Sequence, residues 1–437
     1  MGRVIERQPP DGGRAAAGAR PTAVRSSASS LRPSQTVARS HRARRRASAT
    51  ALVLGAGGFT GGAYEIGALR ALQLLAVDWT VNDLDIYVGT SAGALIAAAV
   101  ANGITPEEMM RVVVGEGRMP FPPAELGTLL RPDYAQLLGR GLRLPLALSA
   151  AMRELVRDVR QVSALDVVLM LAGALPAGLY SAEGIERYVR RILTDHGRTD
   201  GFADLGRRLY LAATDLDSGA RVVFGSPGWD SVPISRAVSA SCALPMVYRP
   251  VRIGGRDYVD GGIVSTVNLD IAIEAGARLL LVVNPLVAFD GGRFGGSWLP
   301  ARRVSEMGLP HVGYQAFKLL AQRALREQAE AWRTRHPDVD IVLIEPDGDD
   351  ELMFATNVMN FSSRAEIARH GFRSVVLRLA ADYPMLRQTF TRHGIEVSSG
   401  RLREAIDRLS EQDRGADPWR RRLQATAVAL RSRVAHR

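Results

Sequence analysis

Asp85-Ile86-Tyr87-Val88-Gly89-Thr90-Ser91-Ala92-Gly93-Ala94-Leu95 is the stretch from which the rest of the chain can be ordered. Ile86, Tyr87 and Val88 form a short apolar run bounded by turn residues, which reads as a buried strand. Gly89 to Gly93 read as a tight turn, and the small residues from Ala94 to Ala101 as a helix able to pack closely on a sheet. A serine with glycine two residues away on each side suits a sharp strand-to-helix turn. There its hydroxyl stands exposed and the following N–H is free to meet an oxyanion. Ser91 is therefore the candidate nucleophile, Gly89 and Gly93 its small neighbours, and Ala92 the source of one N–H donor.

A similar unit precedes it. Ala51-Leu52-Val53-Leu54 gives way to Gly55-Ala56-Gly57-Gly58-Phe59-Thr60-Gly61-Gly62 and then to a helical stretch from Ala63 to Leu72. Further strands are expected at Leu209–Ala213, Arg221–Phe224, Leu279–Val283 and Ile341–Ile344. Strands alternating with helices predict an α/β fold, three layers with a mainly parallel central sheet. Residues about 104–208 read as a helical cap, in which Ala164–Leu175 is either a buried helix or a lid that meets lipid. The Gly-rich stretch Phe289–Gly296 reads as a loop, and Tyr314–Arg335 as an amphipathic helix with Phe317, Leu320, Ala321, Ala324, Leu325, Ala331 and Trp332 on its apolar face. The predicted organisation is a disordered arm (1–50), a catalytic core (51–285), the C-terminal part of the α/β domain (286–400) and a basic helical tail (401–437).

A serine hydroxyl needs a base. Of the seven histidines, His41 and His436 lie in the tails, and none of the rest sits in a strand-end turn beside small residues; His196 and His370 are the nearest candidates. Tyr258-Val259-Asp260-Gly261-Gly262 offers a carboxylate at the end of an apolar run, with room left beside it by Gly261 and Gly262. Asp-Gly is also the commonest turn dipeptide, so Asp260 has a plain hairpin reading as well. The first glycine loop is equally open. It could cradle a dinucleotide pyrophosphate, with Asp78 roughly twenty residues on as a ribose ligand. It could instead aim the N–H groups of Gly57 and Gly58 at the charge developing on an acyl carbonyl.

Charge divides the chain unevenly. The formal net charge is +11, of which residues 1–50 carry +9 and 401–437 carry +5, leaving −3 for the body. The basic character belongs to the ends, so no nucleic-acid-binding domain is indicated. The acid-poor arm reads as a solvated tail, an electrostatic tether to anionic membrane through His41–Arg46, or a transit peptide. No secretory signal or membrane-spanning run is visible, which suggests a cytoplasmic or peripheral membrane protein. Cys242 is the one cysteine, so an internal disulfide is excluded, and it reads as a small buried hydrophobe.

Taken together, the glycine loop at 55–61, Gly89-Thr90-Ser91-Ala92-Gly93-Ala94-Leu95, and Val259-Asp260-Gly261-Gly262 resemble the patatin-like phospholipases, whose Ser–Asp dyad needs no histidine. Ala213-Thr214-Asp215-Leu216 and Ala240-Ser241-Cys242-Ala243-Leu244-Pro245 are similar to further segments of that family, and the likeness covers about 51–285. The resemblance implies a lipid or acyl-ester substrate, Ser91 as nucleophile, Asp260 as base, and Gly57, Gly58 and Ala92 as oxyanion donors. Gly55, Gly61, Gly89, Gly93, Gly261 and Gly262 would support them, and neither metal nor cofactor is required. The loop departs from the family's Gly-Gly-Gly-x-Arg/Lys-Gly at Ala56 and Thr60; Ala56 is compatible with it only at negative φ. Two other readings stand beside this one: a nucleotide-dependent oxidoreductase, which requires a strand ending near Val77, and a non-catalytic lipid-binding or scaffold protein on the same fold.

Overall fold

The apolar runs singled out above become neighbouring strands of one sheet. The computed structural model describes residues 48–132, 149, 177–289 and 304–412, apart from positions 118, 196, 349 and 357. Its strands are β1 (Ala49–Leu54), β2 (Ile86–Thr90), β3 (Arg131–Pro132), β4 (Gly178–Ser181), β5 (Arg208–Asp215), β6 (Arg221–Phe224), β7 (Met246–Tyr248), β8 (Val251–Ile253), β9 (Arg256–Asp260), β10 (Ala277–Val283) and β11 (Asp340–Ile344). Its helices are α1 (Gly58–Gln73), α2 (Ala92–Ala101), α3 (Pro106–Val114), α4 (Leu126–Leu129), α5 (Glu183–Leu193), α6 (Ile234–Ser241), α7 (Leu269–Glu274), α8 (Leu309–Arg335), α9 (Glu351–Ala355), α10 (Arg364–Ala381), α11 (Tyr383–Arg392) and α12 (Gly400–Gln412).

Among the described residues the main sheet has the order β11-β10-β1-β2-β5-β9-β8, with β6 paired to β5. The five strands from β11 to β5 are parallel, and β6, β8 and β9 add antiparallel pairings. Alternation along β1 feeds two cores: Leu52 and Leu54 pack on one face with α1, α2 and α10, while Ala51 and Val53 pack on the other with α7 and the far end of α8. The result is the expected α/β/α arrangement.

Register explains why residues distant in sequence converge. Leu54, the last residue of β1, pairs with Gly89 of β2 and with Val283, the last residue of β10. The glycine loop and the Ser91 turn therefore leave the sheet at the same edge. Thr90 pairs with Ala212 of β5, and the next residue, Ala213, pairs with Asp260 of the antiparallel β9. Thus β9 ends where β2 ends, at the carboxyl edge of the parallel strands where open α/β sheets bind ligands.

Several local expectations are revised. The stretch 55–62 is not all loop, because α1 begins at Gly58. The cap region 104–208 is not wholly helical: β3 and β4 lie within it and join β7 in a small second sheet. Ala164–Leu175, residues 290–296 of the Gly-rich stretch, and residues 413–437 of the tail lie outside the described residues, as do 1–47 of the arm. No strand ends near Val77, since Ala76 makes only an isolated bridge to Val397 and Val77-Asp78 form a bend. The dinucleotide reading of Asp78 thereby loses the strand it needs.

Candidate active site

Ser91 occupies a backbone conformation that almost any other position would avoid, with φ 56° and ψ −124° between the last residue of β2 and the first of α2. Such a conformation costs on the order of 1–3 kcal/mol and persists only where the surroundings over-determine it. Here they do. A side chain at Gly89 would meet the backbone of Ala94 at 2.5 Å, and one at Gly93 would meet the Gly55 and Leu54 carbonyl oxygens at 2.6 and 2.7 Å. The sharp turn therefore closes only with hydrogen at both positions.

Four hydrogen bonds hold the elbow in place. The Ser91 N–H donates to Ser241 Oγ at 2.9 Å, and Ser241 Oγ in turn donates to the Ala212 carbonyl at 2.6 Å. The Ser91 carbonyl accepts from Ala94 N–H at 2.9 Å, and the Cys242 thiol lies 3.0 Å from the same oxygen. Cys242 is thus part of the site's wall rather than remote packing. Burial, and then the charge of Asp260, push its thiol well above the ordinary range, so it stays protonated. Glu65 is fully buried in α1, and burial favours its neutral acid form.

The Ser91 hydroxyl donates to Asp260 Oδ2 at 2.5 Å, and the other carboxylate oxygen accepts from the Gly262 N–H at 2.7 Å. Asp260 closes β9 and caps a single 3-10 turn over Gly261–Ile263. It belongs to no hairpin turn, which removes the plain Asp-Gly reading. Thr214 Oγ donates to the Asp260 carbonyl at 3.1 Å, and the Asp260 N–H donates to Ala243 O at 3.0 Å, so the segments around Thr214 and Ser241 both brace the carboxylate's backbone. With Asp260 only 4% exposed, desolvation pushes its pKa up to about 6 against the opposing contacts from Ser91 and Gly262. His370 bonds instead to Asp350 at 2.6 Å, and His196 lies outside the described residues.

Above the pair lies a cavity of about 490 Å³, lined by Gly57, Gly58, Ser91, Ala92 and Asp260 at its base and elsewhere mostly by apolar side chains, with Arg364 among them. Gly57 and Gly58 start α1, and Ala92 starts α2, so their N–H groups lack intrahelical acceptors. No hydrogen bond ties these three N–H groups to another described residue. Ala56 is absent from the positive-φ residues, which among the described non-glycine residues are Ser91 and Met246. An alanine is therefore accommodated there. Both positive-φ residues line the cavity, and Met246, 81% exposed, marks its mouth. Sequence reading did not find Met246, or the part played by Ser241; a serine two residues before Ala243-Leu244-Pro245 was the available signal for the latter.

The geometry now has a context among known proteins. The family model described as patatin-like phospholipase matches residues 52–273, just over half of the chain. The chain belongs to the patatin-like phospholipase family. Among curated relatives it is 28% identical over 191 residues to an uncharacterized protein, YqhO, of Bacillus subtilis, which covers 40% of this chain and 53% of that protein. It is 22% identical over 224 residues to the probable lipid hydrolase 463L of Invertebrate iridescent virus 6, covering 50% and 61%. The chain thus spans little more than half the length of the curated relatives it matches. Among solved structures it resembles VipD of Legionella pneumophila (TM-score 0.28, 14% identity, covering 87% of this chain and 83% of that one). It also resembles ExoU of Pseudomonas aeruginosa in complex with SpcU (TM-score 0.27, 15% identity, covering 87% and 71%).

Proposed function

We propose that this patatin-like chain is a serine acyl hydrolase that cleaves lipid or phospholipid acyl esters. The observation that carries the reading is the Ser91 hydroxyl 2.5 Å from a buried carboxylate at the base of an apolar cavity. In the first half-reaction Ser91 Oγ attacks the ester carbonyl while Asp260 takes its proton. The oxyanion is met by the N–H groups of Gly57, Gly58 and Ala92, and the intermediate collapses with the alcohol leaving as it regains the proton. In the second, Asp260 takes a proton from water as that water attacks the acyl-Ser91 ester, then returns it to Ser91 Oγ as the fatty acid departs. A carboxylate of pKa about 6 is a better proton acceptor than an exposed aspartate and is still ionised at neutral pH.

We also propose that residues 51–285 form the catalytic core and that 286–400 complete the same α/β domain, a division supported by β11 continuing the parallel ladder from β10. Contact of the basic arm and tail with anionic membrane remains part of this proposal, and most of both lies outside the described residues.

The test is release of free fatty acid from a panel of chromogenic esters and phospholipids by the wild type, Ser91→Ala and Asp260→Asn, with folding checked by circular dichroism. Each variant is expected to lose about a thousandfold or more in kcat while remaining folded. Turnover that survives without Ser91 would overturn the Ser91 nucleophile, and a wild type inactive across the whole panel would replace this reading with that of a non-catalytic lipid-binding protein.

A further inference from the structure

The cavity over Ser91 has two charged side chains in its lining, Asp260 and Arg364. Asp260 is engaged by Ser91 and Gly262, as described above. Arg364 is different. It opens α10 and forms no ion pair with any described residue. Its position is nevertheless fixed: the guanidinium lies 4.2 Å over the ring of Phe361, and Nη1 donates to the Phe361 carbonyl at 3.1 Å. Phe361 in turn meets Phe59 edge-on with ring centroids 5.5 Å apart, and the Thr60 N–H donates to Val358 O at 3.3 Å. Residues 358–364 therefore lie against the start of α1, and they bring a half-buried cation to the same apolar wall that Phe59 and Phe361 form.

A cavity that served only hydrocarbon would gain nothing from such a group, because a guanidinium facing carbon forgoes hydration without an ionic partner. One bond to a carbonyl and one aromatic face leave most of its five donors unspent. Their planar fork fits a phosphate or carboxylate, and an anion arriving from the cavity would complete it with charge-assisted hydrogen bonds. We infer that Arg364 is the recognition site for an anionic group, phosphate or carboxylate, on an amphiphile whose apolar tail fills the cavity. As a statement about substrate this rests on the hydrolase reading; as a statement about binding it does not.

Binding without turnover separates the two. The Ser91→Ala protein is loaded with a fluorescent apolar probe, which is displaced by dodecyl phosphate, dodecanoate or neutral dodecanol below their critical micelle concentrations. The phosphate is expected to displace the probe at about tenfold lower concentration than the alcohol. Arg364→Gln should erase that advantage and leave dodecanol unchanged, while Arg364→Lys, with its charge kept, retains part of it. Dodecanoate matching the phosphate would identify any terminal anion as sufficient; dodecanoate behaving like the alcohol would identify phosphate. A phosphate preference that survives in folded Arg364→Gln, or one absent from the Ser91→Ala protein, overturns the inference. Failure of the hydrolase reading has a different signature, no fatty acid release by the wild type with the phosphate preference intact.

Discussion

Helices α2 and α8 are both rich in apolar residues, yet one is buried on nearly every side and the other turns leucines to solvent. In α2, Gly93, Ala94 and Ile96 to Val100 are all buried, held between the sheet and α1 and α6. In α8, Lys318, Leu325 and Ala329 are the buried described residues, while Leu319 is 52% and Leu320 is 70% exposed. Length accounts for the contrast. At 27 residues α8 is about 40 Å long, whereas β10 with its 7 residues reaches only about 23 Å. The C-terminal half of α8, with Leu325, Ala329 and Trp332, lies on the sheet. The N-terminal half overhangs it and reaches the cavity through Tyr314 and Phe317. An apolar side chain is buried where a neighbour exists to receive it, and hydrophobicity alone does not supply the neighbour.

The largest expected effect tests the tight side of this comparison. A side chain at Gly93 would press on backbone carbonyls of β1 and the glycine loop, which cannot move without breaking the sheet. Gly93→Val should therefore cost more than about 4 kcal/mol and leave little folded protein, measured by thermal denaturation and soluble yield. A variant with near wild-type stability would show that the elbow is far less constrained than the contacts imply.

That tightness is also why the site was legible in the sequence. Gly89 is dictated by the backbone of Gly93 and Ala94 a few residues on, and Gly93 by Leu54 and Gly55 on the neighbouring strand and loop, so both ends of the turn demand hydrogen and the requirement shows in the sequence as a Gly-x-Ser-x-Gly motif. Asp260 was legible because its Gly-Gly sequel is required there: Gly262 N–H bonds its carboxylate within the same turn, and Gly261 lies against the backbone of Ala212 and Ala213 on β5. Their meeting across 169 residues was legible only through the family resemblance: it depends on β9 ending level with β2 across β5, which the strand order decides. Ser241 acts through Ser91 and Ala212, far away in the chain; Arg364 is held by Phe361 three residues before it but faces a cavity built from distant segments, and no spacing announces that. For α8 the 3.6-residue period suggested a face containing both Leu320 and Leu325, but the sheet accepts Leu325 and stops short of Leu320.

A smaller effect is expected from pH. With Asp260 at about 6, the base is ionised above that value and protonated below it, so kcat/KM should fall about tenfold per pH unit below pH 6. The sign for stability is opposite. A carboxyl raised from 3.8 in the unfolded chain to about 6 in the fold contributes stability that is fully present below pH 3.8 and lost as pH rises through 6. Asp260→Asn should therefore flatten stability across this window, in chemical denaturation at pH 4 and pH 7, while abolishing turnover. An activity profile with its acid limb near pH 4 would mean that the carboxylate is better solvated than its 4% exposure indicates.

The smallest effect belongs to the overhang, and there a near-zero result is the informative one. Leu319→Gln combined with Leu320→Gln replaces two large apolar side chains that already face water, so the change in stability should stay within about 0.5 kcal/mol. Leu325→Ala, only one and a half turns further along the same helix, removes a side chain that is 3% exposed and should cost about 2–4 kcal/mol. Both variants can be compared by urea denaturation, with midpoint and slope read separately. Equal losses in the two would mean that the overhanging half of α8 is covered in solution, by another copy of the chain or by a part of it outside the described residues. A clear difference places the boundary between buried and exposed apolar surface inside a single helix, where the sheet beneath it ends.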